Sequence, residues 1–489
     1  MPNLMQSTFA PPPPAFASRR AFLRQAGGGF GLLALAEMMQ QAEVSSAADG
    51  STNPLLAKPG HFATKAKNVI WLFMNGGPSH VDTWDYKPEL EKCDGQELAG
   101  FDKNTGFFAD QVGPLMKSPF KFQQHGQSGT WVSELFPNMA RHVDKMAFIY
   151  SCHTDSNNHS PALFKINTGM ARMGHPCLGA WLTYGLGSES QNLPAFVVMY
   201  DTLGRGIPKG HSQNWGAGFL PGVYQGTALR PQGAPLDDLV RSIEMNDREQ
   251  RAQLDLLARL NRRALEEKPQ EAELAARIES FELAYRMQMA APEAIAIEQE
   301  TDAVQKLYGL DNPKCTHFAK QCLIARRMVE RGVRCVQIYS GGMDNQLSWD
   351  GHNDIAGNHG GFAAETDVPV AGLLEDLASR GLLESTLVIW GGEFGRLPVA
   401  QKSATPGRDH NPHAFTYWMA GGGVKGGAHH GATDEIGHKA AVDKVSVNDL
   451  HATILHLMGL DHTRLTYRFS GRDFRLTDVS GNVIQSILS

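Results

Sequence analysis

Cysteine is scarce in this chain of 489 residues, and no two cysteines stand close in sequence. Cys93, Cys152, Cys177, Cys315, Cys322 and Cys335 form no CxxC pair, which argues against a zinc–thiolate site. Excess positive charge is missing as well: 45 Lys and Arg stand against 51 Asp and Glu, a formal net charge of −6. Phosphate backbones are met by basic surfaces, so no nucleic-acid partner is expected. Beyond the N-terminal segment no apolar run reaches the roughly 20 residues of a membrane span. No internal repeat is present, and no heptad pattern lasts long enough to make a coiled coil. What remains is an ordinary globular composition, 42% hydrophobic, with ample material for a core.

The N-terminus reads differently. Residues 18–36, "SRRAFLRQAGGGFGLLALA", place a twin arginine before a short apolar run, and small residues follow. That is the pattern of a twin-arginine secretory signal; the run is too short and glycine-rich for a membrane helix. Residues 1–48 are therefore expected to be a signal peptide and disordered N-terminus. Export to the periplasm or the extracellular space follows, with no stable membrane span after signal removal. Residues 60–480 are expected to form one α/β domain.

Five apolar runs organise that domain: 67–78, 145–152, 195–200, 333–342 and 385–393. Each ends in a glycine-rich or polar loop, with helical patterns between, as in a doubly wound, mostly parallel sheet. Such sheets bind ligands beyond the carboxyl ends of their strands. Residues 236–330 break the pattern, with Glu, Arg, Leu and Ala interleaved at helical period. They read as a helical insertion whose charges form a solvated face.

The 19 histidines crowd into a few loops, and four loop segments hold the candidate chemistry. "MNGGPSHVDTWD" (74–85) carries Asn75, His80, Asp82 and Asp85. "NNHSPALFKINTG" (157–169) carries His159, Ser160 and Lys165. "SWDGHNDIAGNHGG" (348–361) carries Asp350, His352, Asp354 and His359. "WGGEFGRLP" (390–398) with "GRDHNPHAFTYWMAGGG" (407–423) supplies Glu393, Arg396, Asp409, His410 and His413. Singly, each has an ordinary use: Asp350 capping a turn, His352 bonding a carbonyl, Glu393 pairing with Arg396, His159 and Ser160 capping a helix. Jointly, acids and histidines after successive strands suit Zn²⁺ or Mn²⁺, and an all-oxygen subset would suit Ca²⁺. A helix start at 159–161 would favour an anionic group such as phosphate or sulfate. The Gly/aromatic loop 200–226, with Arg205, reads either as a binding wall or as structural cover.

"STLVIWGGEFGR", "HNPHAFTYWMAGGGVKGG" and "VNDLHATILHLMGL" resemble the closing third of alkaline phosphatase-like enzymes and sulfatases. "NGGPSHVDTWD", "NNHSPA", "GEFGR" and "DHNP" resemble, more closely, the secreted domain-of-unknown-function 1501 family of the same superfamily. The resemblance spans about residues 66–466. It implies an alkaline phosphatase-like fold and a divalent metal (Zn, Mn or Ca), with a small-molecule or glycan ester as substrate. By position it implies Asp350, His352, Glu393 and His410 as metal ligands, with His413 as runner-up. Phe394 falls where a ligand often stands, and Asn75 where a bridging Asp is expected, which implies a weaker site, a single metal, or a substitute ligand such as His80 or Asp82. Arg396 or Lys165 would balance substrate charge. His159 takes the sulfatase nucleophile position with Ser160 and Pro161 following, but the modified cysteine is absent and Leu163 replaces an arginine. Metal-assisted attack involving His159 or Ser160, a water nucleophile beside them, and a fold kept for binding without turnover all stay open. The reading is an exported metal-dependent hydrolase of phosphate or sulfate esters. A non-catalytic binding or structural protein is the alternative.

Overall fold

A computed structural model describes residues 53–98, 100–229, 246–267, 272–343 and 345–489. The expected export signal lies outside the described residues. In chain order the main-sheet strands are β1 (Asn68–Met74), β2 (Met146–His153), β3 (Phe196–Met199), β4 (Thr227–Leu229) and β5 (Cys335–Ser340). They continue with β6 (Thr386–Gly391), β7 (Phe415–Ala420), β8 (His429–His430) and β9 (Val445–Ser446). The spatial order is β8–β2–β7–β6–β1–β5–β3–β4, with β9 also on β2. β6, β1, β5, β3 and β4 run parallel, and β2 shares their direction. The fold is thus α/β on a large, mostly parallel sheet, and all five expected runs are strands in it.

β1 shows why those runs are continuously apolar. Val69, Trp71 and Phe73 enter one core, while Ile70, Leu72 and Met74 enter the other. Side chains alternate along a strand, so covering both faces of the sheet demands an apolar residue at every position. Helices α1 (His159–Thr168), α2 (Leu178–Leu186) and α3 (Val447–Leu457) bring their apolar stripes to the first core. Helices α4 (Thr316–Glu330) and α5 (Ile355–Ser379) cover the second. Within the stretch read as a helical insertion, Asp247–Glu267, Ala272–Ile295 and Asp302–Tyr308 are helices. Its last part, α4, packs directly on β5 and α5. No helix among the described residues is long and apolar enough to cross a membrane.

Two expected loops are not loops. Phe415–Ala420, placed inside the fourth loop segment, is β7, a wholly buried strand antiparallel to both β2 and β6. Its six-residue run of aromatic and small residues is a core strand that reverses the local direction of the sheet. His359 stands on α5, whose N-cap Asp354 accepts the Gly357 N–H at 3.0 Å. The helix in 157–169 begins at His159, so His159 and Ser160, read as loop and capping residues, lie in its first turn, and the cap is Asn158, whose side chain accepts the Ser160 N–H.

Candidate functional site

The reversal at β7 has a consequence for chemistry. β1, β5, β6 and β2 finish at one edge of the sheet, and the antiparallel β7 starts there. The segments 75–77, 341–354, 392–396, 154–159 and 409–414 therefore meet at that edge. They bring together His159, Asp350, His352, Glu393, Asp409 and His410, none of which exposes more than 5% of its surface. Burial of so many ionisable groups demands partners for each.

Two of the histidines have their tautomers set by neighbours. The Nδ1–H of His352 donates to Gln401 Oε1 at 2.7 Å, and the amide orientation is fixed because Gln401 Nε2 donates to Gln111 Oε1 at 2.6 Å. The Nδ1–H of His410 donates to the Asn157 carbonyl at 2.6 Å. Burial first, and then the charge of His159, push His410 well below the ordinary histidine range, so its ring is neutral. His410 Nε2 is then left as a bare lone pair, and His352 Nε2, whose ring donates through Nδ1, is one whenever that ring is neutral. These two atoms face each other at 2.9 Å, and Asp350 Oδ1 lies 2.9 Å from one and 3.1 Å from the other.

Asp350 Oδ1 accepts from Arg396 and keeps a second lone pair, so in the neutral tautomers three lone pairs converge, and with neither a proton nor a cation between them they would repel. Neighbouring ligands bound at about 2.1 Å to one ion stand about 3.0 Å apart at octahedral angles and about 3.4 Å apart at tetrahedral ones, near the 2.9–3.1 Å seen. Two imidazoles and a carboxylate are also the donor set that Zn²⁺ and Mn²⁺ accept. The residues fit a divalent ion. Asp409 lies in an overlapping group with His352 and His410. Its oxygens already accept the His410 N–H at 2.7 Å and the Phe108 N–H at 2.6 Å.

The other half of the site is organised around His159. Its Nδ1 is 2.6 Å from Glu393 Oε1, and Glu393 is in turn gripped by the Gly76 N–H at 3.0 and 3.2 Å. Gly76 has φ +105°, and a Cβ there would meet Asp350 N at 2.6 Å, so only glycine lets this loop press against the carboxylates. His159 Nε2 has no aligned hydrogen bond, although Asp350 Oδ2 lies 3.1 Å away. Burial opposes its charge, but Asp350 and then Glu393 outweigh it and raise His159 to about 9. For Asp350, burial works toward the neutral acid. The Arg396 guanidinium and His159 overcome that and hold its carboxyl well below the usual range.

Arg396 is wholly buried and pairs with Asp350 Oδ1 at 2.6 Å, not with Glu393. Its remaining protons go to the carbonyls of Gly76, Gly77 and Arg408. It is fixed as a scaffold for Asp350.

Other candidates are engaged elsewhere. The Asn75 amide nitrogen donates to the carbonyls of Gly342 and Met343 at 2.6 and 2.9 Å, while its buried Oδ1 has no hydrogen-bond partner. His80 Nε2 bonds the Gly437 carbonyl at 2.7 Å. Asp82 is taken by Arg408 at 2.6 Å and by the Ser79 hydroxyl at 2.5 Å. Lys165 pairs with Asp155 at 3.4 Å, and Arg205 with Asp201 and Glu365. His413 donates its backbone N–H to Asn411 Oδ1 and turns its ring toward His438. Ser160 follows His159 on the first turn of α1, half-buried. The residues that sequence reasoning missed as holders of the histidines are Gln401, which lies in no motif, and Asn157, which opens the "NNHSPA" stretch but acts through its backbone carbonyl; both lie far in sequence from the rings they hold. All six cysteines are free, five of them buried.

The model of a family described as a protein of unknown function, DUF1501, matches residues 66–488. None of the curated proteins matches the sequence. Solved structures with some likeness include the lipoteichoic acid synthase LtaP of Listeria monocytogenes, 8% identical, covering 89% of this chain and 80% of that one at TM-score 0.33. The PsFucS1 sulfatase of Pseudoalteromonas sp. is 11% identical over 81% and 68%, at TM-score 0.33. A protein in the alkaline phosphatase superfamily from Vibrio parahaemolyticus is 10% identical over 88% and 76%, at TM-score 0.34. Likenesses of that size leave the roles of this chain's residues to its own geometry.

Proposed function

The chain belongs to the DUF1501 family, and we propose that it is a divalent-metal-dependent hydrolase of phosphate or sulfate esters. The observation that carries this reading is the convergence of three potential ligand atoms, His352 Nε2, His410 Nε2 and Asp350 Oδ1, beside a histidine held by a buried glutamate. The ion these residues would hold, Zn²⁺ or Mn²⁺, supplies a Lewis acid for an ester oxygen. Ca²⁺ is disfavoured by two nitrogen donors.

The rest is done by the chain. Glu393 fixes the Nδ1–H of His159, which leaves Nε2 as the atom that handles protons, the arrangement of a base and its orienting carboxylate. Water adds at phosphorus or sulfur, and the bond to the alcohol oxygen breaks. The Nε2 proton of His159 goes to that oxygen, and the proton lost by the attacking water returns to Nε2. Arg396 keeps Asp350 in place through the cycle. Ser160, next on the helix, is the alternative nucleophile. The twin-arginine pattern at residues 18–36 supports export, which would place the reaction in the periplasm or outside the cell. A small-molecule or glycan ester is the corresponding substrate.

A protein that binds its ion and ligand without turnover is the second reading. The neutral amide of Asn75, where the resemblance expects a bridging Asp, favours it, because a second ion loses an anionic ligand there. Elemental analysis of the folded protein beside a Glu393→Ala/His410→Ala double variant, followed by a screen of aryl phosphate and sulfate esters, tests the proposal. One equivalent of Zn or Mn, lost in the variant, with turnover lost in His159→Ala, is the expected result. Metal without any turnover leaves the second reading, and absence of metal after reconstitution removes both.

A further inference from the structure

The site residues are almost wholly buried, so whatever lies over them decides what reaches them. The cover is a short segment, residues 105–111, "TGFFADQ". The Phe107 ring lies 5.6 Å from the His410 ring, and the Phe108 ring stands edge-on to His352 at 5.0 Å. Two aromatic rings thus sit on the two histidines whose nitrogens converge.

The segment is fastened to the site at three points. The Phe108 N–H donates to Asp409 Oδ2 at 2.6 Å. Asn157, whose carbonyl holds His410, donates its side-chain amide to the Gly106 carbonyl at 2.7 Å. Gln111 Oε1 accepts from Gln401, the residue that holds His352. Gly106 is pressed so close that a Cβ would lie 2.3 Å from Asp409 Oδ2. A segment tied this tightly to a polar site still leaves Phe107 47% exposed. A ring placed to fill the core would be covered. One standing at the rim of a buried polar cluster offers an apolar wall beside a few convergent polar groups, the composition of a small-molecule site.

We infer that Phe107 and Phe108 are the specificity wall of this site and hold the ring of an aryl or cyclic alcohol whose tetrahedral oxyanion ester is bound by the residues beneath. The inference rests on the ester-hydrolase reading for the polar half of the ligand only; the ring half rests on the two phenylalanines. Esters of ring alcohols are preferred to those of small open-chain alcohols, and the preference resides in Phe107 above all, because its face is the open one.

The test is binding, measured by calorimetry on the metal-reconstituted protein with non-hydrolysable probes. Phenylphosphonate and methylphosphonate form one pair, benzenesulfonate and methanesulfonate the other. Wild type is expected to bind the phenyl member of at least one pair about tenfold more tightly than the methyl member. Phe107→Ala should abolish that ratio by weakening the phenyl ligand, and Phe107→Tyr should restore it. Metal content, measured on the same samples, should be equal in all three proteins, which separates a lost wall from a lost site. Equal affinities within both pairs in wild type, no binding of any probe, or a ratio untouched by Phe107→Ala overturns the inference. Ester turnover measured alongside keeps the two readings apart. Phe107-dependent binding without turnover defeats the hydrolase and leaves the wall, and turnover with no phenyl preference does the reverse.

Discussion

Gln401 offers the sharpest test of the proposed metal site, because it touches no ligand atom that would bind the ion. Its amide oxygen receives the His352 Nδ1–H at 2.7 Å, and its amide nitrogen is anchored on Gln111 at 2.6 Å. Replacing it by leucine keeps much of the volume and removes the acceptor. The His352 ring then has either a buried N–H without a partner, costing about 1–3 kcal/mol, or the other tautomer, which puts a proton on Nε2 where the lone pair was. Either way the ion loses. Orienting partners of this kind are typically worth 10- to 100-fold in metal affinity, equivalent to about 1.4–2.8 kcal/mol. The assay is competition against a chromophoric chelator at fixed pH, with zinc and then manganese, on wild type, Gln401→Leu and Gln401→Glu. Leucine should weaken binding by 10- to 100-fold, and glutamate, which still accepts from Nδ1, should lose far less. Unfolding monitored on the same apo samples guards against a collapsed variant. Gln401→Leu binding as tightly as wild type would refute the tautomer argument and with it the converging lone pairs.

Glu393→Gln should keep the metal and lower turnover of an active ester by about 10²–10⁴-fold, since the carboxylate orients His159 and offsets its charge; metal loss together with activity would instead make Glu393 a ligand. Asp82 and Arg408 are paired and fully buried, so Asp82→Asn should destabilise the fold by about 3–5 kcal/mol in chemical denaturation, whereas a change below 1 kcal/mol would mean the guanidinium finds other partners. Stability should fall as the solution is acidified from about pH 6.5 toward pH 4. Burial depresses His359 to about 3, and burial depresses His451 to about 4 despite its bond to the Ile166 carbonyl. The unfolded chain takes up those protons near pH 6.5 and the folded one does not, a slope of about 1.4 kcal/mol per pH unit for each histidine. His451→Gln should lower the slope by up to about 1.4 kcal/mol per pH unit between pH 6 and 5, and an unchanged slope would count against this assignment.

Much of the architecture was written locally. A run such as "NVIWLFM" has no polar position to turn to water, so it had to be covered on both faces, and strands of that kind in a row imply helices on either side of a parallel sheet. The same reasoning placed the chemistry at the strand ends and picked out His159, Asp350, His352, Glu393 and His410 as candidates. It failed where the local signal was shared by two outcomes. "FTYWMA" lies between polar loops, and nothing in its own residues says that it is a buried strand running against its neighbours.

What the sequence alone determined was which residue types could stand at the active edge, because apolar periodicity and the glycines that end strands are properties of adjacent residues. Which way a histidine nitrogen points, and whether it carries a proton, depends on acceptors such as Gln401 and Asn157. Those lie 49 and 253 residues from the rings they hold. His80, Asp82 and His413 stood as second choices in the sequence, and the packing gave them other partners. The tertiary structure alone made three lone pairs meet, since direction in space is set by the whole sheet and by no short stretch of chain.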